Sequence, residues 1–327
     1  MGDVRIAVLT FTDDLHALAI QAHLRTIPGT VCDVVEVDTI ADRAPGVSWS
    51  TEAETFPATV PTRDGAGLDP ATCDVIWFRR WNRPQVAARS LADPAAVDVV
   101  TASTSSAVLG TLRNTFRGRW VSDPEATRRA ENKLVQLAAA RAAGFRVPRT
   151  LVSNDPAEIR RFCGDLEGRA VLKAVRGTAH SQLFTLEVTP EHLADDDALR
   201  LCPTIFQERV PGSRHVRALC CGDEVYAATI ECADLDWRKD LRVPMAPYAV
   251  DEPTRQRLAR LLELLGLRMG VADIKIDEAG DLVWLELNPQ GQFLFVEGLT
   301  GMDLTGAFSR FLRREAPAAA TRWMPDA

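Results

Sequence analysis

The sequence lacks a CxxC pair, and its seven cysteines are an odd number. A disulfide framework is therefore not expected, and reduced cytosolic thiols are. No GxGxxG follows the first predicted strand, which leaves a dinucleotide site unsupported. No GxSxG turn surrounds Ser103 to Ser106, so those serines form no nucleophile elbow. Positive charge is not in excess: the net charge is −7, with acids and bases mixed along the chain. That balance excludes a nucleic-acid footprint and a polybasic membrane patch. No run approaches the roughly 20 apolar residues of a membrane span. The start, MGDVRIAVLTFTDD, lacks the basic residues, long apolar segment and cleavage site of a signal peptide, so a cytoplasmic location is expected. There is no internal repeat and no low-complexity linker.

What remains is an ordinary globular composition, 46% hydrophobic and 25% charged over 327 residues, which suggests two or three packed α/β units. VRIAVL (4–9), a helix over 13–27, VCDVVEVD (31–38) and CDVIWFRR (73–80) read as a βαβ rhythm building a small parallel sheet. Residues 41–72 are rich in Pro, Gly, Thr, Asp and Ala and read as an irregular excursion, with a hairpin near Phe56 to Thr62; this is the best candidate for disorder. One helix is predicted over 122–145, opening on a Ser or Asp cap with a proline in its first turn and ending near Gly144. Strands are predicted at VPRTLVSND, RAVLKAVRG (169–177) and TIFQERV (204–210), and a capped helix at DPAEIRRFC. A hairpin turns at Cys221 to Glu224. A helix then buries Leu258, Leu261, Leu262 and Leu265, and strands VADIKI and LVWLELN precede a last helix, LTGAFSRFLRRE. Domain boundaries fall at 1–121, 122–208 and 209–327.

The stretch VWLELNPQGQ (283–292) carries the chemistry. Glu286 and Asn288 interrupt a buried strand at i and i+2 and so share one face. Closing the 271–288 hairpin with a two- or four-residue loop centred on Ala279-Gly280 sets Asp273 opposite Glu286. Facing carboxylates repel unless a cation lies between them. Magnesium suits such a pair, since it takes one or two carboxylates together with nucleotide phosphates. The alternative is that the acids are solvated or paired with Lys275 and Arg268. A five-residue turn would shift the register and weaken the metal reading.

Phosphates need cations. Lys173 sits inside the strand VLKAV, where an ammonium is costly unless its charge is used or its stem snorkels to solvent. Lys133, on a helix, carries little signal alone. Arg217 and Arg238 are further candidates because guanidinium groups match planar oxyanions, and Lys275 completes the candidate catalytic cation set. Gln207, Glu208, Arg209 and Val210 follow an apolar strand. They form either a plain strand end or a wall offering backbone groups to an adenine edge and a carboxylate to ribose hydroxyls. His215, two residues before Arg217, is a possible substrate contact.

Together these residues resemble the ATP-grasp superfamily of carboxylate ligases: a lysine on a helix, a lysine in a strand, a Q-E-x-V strand end, then D…E-x-N-P. Over almost the whole chain they are similar to the graspetide (microviridin-type) peptide synthetases, through IWFRRWNRP (76–84), ENKLVQLAAARAAGFRVPRTLVSNDP (131–156), DLDWR (234–238) and LELNPQGQFLFVEGLTGMDLTGAF (285–308). The resemblance implies an ATP-grasp fold in which an N-terminal parallel α/β domain precedes two α+β subdomains that clasp ATP. It implies Lys133 and Lys173 on ATP phosphates, Glu208 and its neighbours on adenine and ribose, and Arg217 on the transferring phosphate. Arg238 would lie near substrate or phosphate, and Asp273, Glu286 and Asn288 would hold magnesium. The implied partners are ATP and the leader and core of a ribosomal precursor peptide, with neither nucleic acid nor membrane, and the implied assembly is a homodimer. Three departures touch the first domain and the substrate side. Trp81 follows the double arginine where the family often has proline, this chain has VVTASTSSAVLG where an acidic residue often precedes the helix after that motif, and His215 stands where an aspartate is common.

The implied activity is activation of Asp or Glu side chains as acyl phosphates and closure of ω-ester or ω-amide rings with Thr, Ser or Lys. The lid would be the unit at 150–205 with its loop Arg176 to Ala179. A small-molecule carboxylate–amine ligase is the alternative enzyme, and a non-catalytic nucleotide-binding regulator is the alternative from another class; the complete Asp273, Glu286 and Asn288 set argues against the latter.

Overall fold

The computed structural model describes residues 3–81, 91–177, 183–240 and 242–317. Residues 82–84 of the IWFRRWNRP motif and 178–179 of the expected lid loop lie outside the described residues. Two compact units emerge, Met1–Pro124 with Asp303–Ala327, and Glu125–Met302.

In the first unit, β1 (Val4–Thr10), α1 (Leu15–Arg25) and β2 (Thr30–Glu36) form the predicted βαβ start. A short hairpin of β3 (Val60–Pro61) and β4 (Gly67–Leu68) precedes β5 (Val75–Phe78), α2 (Pro94–Thr115) and β6 (Arg119–Val121). The four long-range strands pair in parallel in the order β2-β1-β5-β6. Their near-continuous apolar runs are what a sheet covered on both faces requires. The excursion at 41–72 is tied into this unit: Val60 and Leu68 are buried in its core, and the hairpin falls at 60–68 rather than 56–62.

Helix α2 is absent from the sequence reading because its Thr- and Ser-rich interior has poor intrinsic propensity. It starts on a clear signal nonetheless: Asp93 caps the Ala95 N–H at 2.9 Å and Pro94 occupies the first turn. Among the described residues it is the one helix long and apolar enough to cross a membrane, by length and composition only. Val108 and Leu112 on one face pack into the core of this unit with Ile76 and Phe116.

The second unit is built on two antiparallel sheets. The helix predicted over 122–145 is two, α3 (Pro124–Ala130) and α4 (Lys133–Ala142). The side chain of Asn132 accepts from the N–H groups of Leu134 and Val135 and so begins a new helix at Lys133; a short amide competes with the backbone in this way. There follow β7 (Thr150–Ser153), α5 (Pro156–Asp165), β8 (Ala170–Lys173), β9 (Leu186–Glu187), α6 (Pro190–Ala194), α7 (Asp196–Arg200) and β10 (Thr204–Glu208). These build an antiparallel sheet in the order β7-β10-β8-β9, with α5 packed on it through Ile159 and Cys163.

The third sheet comprises β11 (Arg214–Cys221), β12 (Glu224–Glu231), β13 (Met245–Tyr248), β14 (Met269–Ile276) and β15 (Leu282–Asn288) in the order β13-β12-β11-β14-β15, with α8 (Glu252–Leu265) between β13 and β14 in sequence. Val216, Ala218, Ala272, Ile274, Trp284 and Leu287 form the face of this sheet that packs with Leu258, Leu261 and Leu265 of α8. A short helix, α9 (Leu294–Thr300), follows β15.

The last helix, α10 (Leu304–Arg314), belongs to the first unit, whereas the sequence reading groups it with the C-terminal subdomain. Phe308 stacks on Trp77 of β5 with ring centroids 4.7 Å apart, and both side chains are fully buried. All seven cysteines are free thiols.

Candidate active site

The face of the third sheet opposite α8 is built in rows. Arg217, Asp273 and Glu286 are cross-strand neighbours on β11, β14 and β15, and His215, Lys275 and Val283 form the next row. Asp273 does face Glu286, but not through the expected loop. Ile276 pairs with Leu282, so the turn has five residues, Asp277 to Asp281, and the register shifts between Asp273 and Ile274. Leu285 is the extra residue of the resulting β-bulge. A bulge leaves one residue unpaired and changes which side chains share a face. Trp284 and Glu286, two apart, would otherwise point the same way. With Leu285 inserted, Trp284 enters the helix-covered core while Leu285 and Glu286 line a cavity on the other face.

That cavity has a volume of about 290 Å³ and lies between the two sheets of the second unit. Its wall includes Lys133, Lys173, Gln207 to Val210, Arg238, Asp273, Lys275 and Glu286. The fold thus assembles ten of the twelve candidate site residues around one space. Arg217 and Asn288 are the exceptions.

Arg217 is buried behind Asp273. Its Nη1 donates to both Asp273 oxygens at 2.8 Å, and its Nε and Nη2 donate to the Gln292 carbonyl at 3.3 and 2.9 Å. Its guanidinium carbon lies 5.5 Å from the ring centres of both Trp237 and Phe295. Little donor capacity is left for a ligand, and in this arrangement Arg217 orients Asp273. Asn288 is exposed, and its Oδ1 accepts the Gln290 N–H at 3.0 Å. The turn Asn288-Pro289-Gln290-Gly291 then folds tightly: a Cβ on Gly291 would stand 2.4 Å from the Val271 Cβ, so only glycine fits.

Glu286 is the acid with open oxygens. Its contacts among the described residues are ion pairs with Lys133 Nζ at 3.7 Å and Arg238 Nη1 at 3.9 Å. Burial alone would raise its carboxyl, but Lys133, Lys173 and Arg238 together hold it below the ordinary range. Burial and the neighbouring charge of Glu286 push Asp273 up, against the pull of Arg217. The two facing acids therefore sit in different environments. No cluster of three His, Cys, Asp or Glu residues able to hold a metal occurs among the described residues. Magnesium nonetheless fits here, because it accepts one or two carboxylates and takes its remaining ligands from phosphate and water. Glu286 and Asp273 are the residues that would hold it, while Asn288, outside the cavity wall, keeps its amide oxygen on the Gln290 N–H.

The cations are positioned by their neighbours. Lys133 is the first residue of α4 and donates to the Ala174 carbonyl at 3.3 Å. Lys173 donates to Gln207 Oε1 at 2.8 Å, and Gln207 Nε2 donates to Thr150 Oγ1 at 2.9 Å. Burial pushes the Lys173 ammonium down to about 8 despite the attraction of Glu286. The Glu208 side chain accepts the Arg149 N–H at 3.0 Å, and the Glu208 and Arg209 N–H groups donate to Arg149 and Arg169 carbonyls at 2.8 Å. Gln207 and Glu208 are thus tied within the protein as well as lining the cavity.

Asp236 escaped the sequence reading. It is buried and lines the cavity; Arg238 donates to it through Nε at 2.8 Å and Nη2 at 2.6 Å, and the Thr185 N–H donates to it at 3.1 Å. Those bonds raise the Arg238 guanidinium above its ordinary value. The DLDWR segment contained the signal, a carboxylate two residues before an arginine, which is the spacing of a local bidentate pair. Gln136, which stands in the ENKLVQL stretch of the resemblance, has no role assigned from sequence. It is buried, donates to the Ala130 and Leu287 carbonyls at 2.6 and 2.7 Å, and accepts the Leu287 N–H at 3.0 Å.

No protein-family model matches the sequence, and no curated protein matches it. Solved structures do. The macrocyclase MdnC of Microcystis aeruginosa, bound with precursor peptide MdnA, superposes with a TM-score of 0.83 at 21% identity, covering 97% of this chain and 100% of that one. A RiPP-associated ATP-grasp ligase of Chryseobacterium gregarium, in complex with ADP and a leader and core peptide, gives 0.82 at 22% identity, covering 96% of each chain. The ATP-grasp ligase PsnB, complexed with minimal precursor, Mg and ADP, gives 0.73 at 25% identity, covering 95% and 98%. The chain has the ATP-grasp fold these ligases share.

Proposed function

We propose that this ATP-grasp chain is an ATP-dependent macrocyclase of a ribosomal precursor peptide, joining Asp or Glu side chains to Thr, Ser or Lys side chains as ω-esters or ω-amides. One observation carries the reading: Glu286, with open oxygens, faces Asp273 and is ringed by Lys133, Lys173 and Arg238 in one cavity. That arrangement suits a metal-bound polyphosphate. The bound ligands of the matching ligases, ADP with magnesium and precursor peptide, support the same reading.

A carboxylate is a poor acyl donor because its oxide leaves badly. Transfer of the γ-phosphoryl group makes an acyl phosphate, which an amine or hydroxyl attacks with loss of phosphate. Little covalent work then falls to the protein, whose contribution is positioning and charge stabilisation. Magnesium, when bound, offsets charge on the phosphate oxygens. Lys133 and Lys173 supply fixed cations, the second oriented by Gln207. Arg238, held by Asp236, faces Glu286 from the other side. Arg217 keeps Asp273 aligned. The sheet β7-β10-β8-β9 forms the lid that keeps water from the acyl phosphate. The enzyme works in the cytoplasm as a homodimer, which light scattering would check.

The test is a search for a neighbouring short gene encoding an acidic, Thr- or Lys-bearing peptide, and incubation of the protein with that peptide, ATP and magnesium. The expected product has lost one water per bond formed. An unchanged peptide alongside ATP-dependent coupling of free amino acids would overturn the peptide reading in favour of a small-molecule ligase.

A further inference from the structure

β15 is an edge strand, and edge strands leave outward N–H and C=O groups that must be met. At Leu287 both are met by one side chain. The Leu287 N–H donates to Gln136 Oε1 at 3.0 Å, and Gln136 Nε2 donates to the Leu287 carbonyl at 2.7 Å. The carboxamide stands where the backbone of a further strand would. Its second N–H donates to the Ala130 carbonyl at 2.6 Å, the last residue of α3. Gln136 thus ties together the end of α3, the helix α4 that starts at Lys133, and β15 at the residue after Glu286.

The same two elements meet once more, at Lys133 and Glu286. Lys133 is three residues before Gln136, on the same helix face, and its ammonium is 3.7 Å from Glu286. The neutral contact is short and has little freedom; the charged contact beside it is long and left open. If the site needed only packing, an apolar side chain would fill it without the cost of burying an amide. Glutamate has no donor for two carbonyls, and asparagine is one methylene shorter. Only glutamine meets all three backbone groups.

We infer that Gln136 is a positioning residue for the phosphate site: it sets the register of α4 against β15, and through that register the placement of Lys133 opposite Glu286. This rests on the reading of the cavity as a nucleotide site.

The experiment is a double-mutant cycle read by Mg-ATP affinity in calorimetry, on the full chain, with melting temperature followed in parallel. The variants are Lys133→Met, Gln136→Met and both together. Lys133→Met should weaken affinity about tenfold and Gln136→Met about fivefold, and the double variant should bind no more weakly than Lys133→Met alone, because residues acting through one another are not additive. A double variant whose loss equals the product of the two single losses overturns the inference, as does Gln136→Met with unchanged affinity and a lowered melting temperature, the result of a purely structural role. If Gln136→Met does not fold, Gln136→Glu, which keeps the acceptor for Leu287, enters the same cycle with the same expected outcome. Wild-type protein that binds no Mg-ATP overturns the nucleotide reading itself, and this inference with it.

Discussion

Two rows on one sheet face, about 7 Å apart along the strands, treat charge in opposite ways. In the row Arg217–Asp273–Glu286 each charge has an opposite charge near it: Arg217 chelates Asp273, and Lys133 and Arg238 approach Glu286. In the row His215–Lys275–Val283, both polar side chains are buried and neither has an ion-pair partner among the described residues. His215 Nε2 also lacks a hydrogen-bond partner there. Asp273 and Glu286 of the first row and His215 and Lys275 of the second line one cavity. The difference teaches how the site divides its work. A row that must handle a polyphosphate is organised before the ligand arrives, since preorganised charge is what stabilises a transition state. The second row instead presents two buried polar side chains to the same cavity.

The comparison breaks most sharply at Glu286. Glu286→Gln removes the open carboxylate and should cut turnover by about 10³-fold while the protein stays folded; peptide mass after incubation with ATP measures the first and circular dichroism the second. Wild-type turnover in that variant would end the assignment. Lys173→Met should weaken Mg-ATP binding about tenfold, the worth of a hydrogen bond to a charged group. The same lysine adds a pH signature. Its folded-state value of about 8 means that the ammonium is present below that pH and lost above it. Affinity in wild-type protein should fall as pH rises through 8, and Lys173→Met should be flat over that window. Asp236→Asn should have a smaller effect. It replaces the carboxylate that grips Arg238 by a neutral amide and should lower kcat/KM severalfold, with the fold intact, because Arg238 keeps its own charge and loses its bidentate orientation.

The opposition of Asp273 and Glu286 was legible in the sequence, but for a reason the structure replaces. A short loop centred on Ala279-Gly280 gives that register directly; the real five-residue turn spoils it, and the bulge at Leu285 restores it. Nothing in VWLELN announces a bulge, because Leu285 is as good a strand residue as its neighbours. The significance of Lys133 was hidden for a related reason. In one long helix it is an unremarkable surface cation. As the first residue of α4 it sits at the positive end of a helix dipole, where a cation is disfavoured unless it is used. That reading needs the break at Asn132, and one asparagine in a helical pattern does not fix a boundary. Gln136 and Asp236 bond to residues far along the chain, Leu287 and Thr185, so periodicity could not reveal them. The lysine in VLKAV was legible because a charge inside an apolar strand conflicts with its local environment.

The second row offers the smallest effect and the finest test. Burial, with Lys275 facing it, pushes the His215 imidazole down to about 4 from an ordinary 6.5. The folded protein therefore holds His215 neutral where the unfolded chain takes up a proton. Between pH 6.5 and 4 the unfolded state binds more protons, so stability should fall as pH falls through that window, by on the order of 3 kcal/mol at most. Above 6.5 the contribution is complete and constant. Urea unfolding at several pH values measures the slope, and His215→Leu should remove this part of it while leaving the acid row, and with it magnesium-dependent ATP affinity, nearly unchanged. If the variant kept the wild-type slope, the neutral imidazole would not be the group that titrates. If it lost ATP affinity as Lys173→Met does, the two rows would act as one unit and the contrast between them would fall.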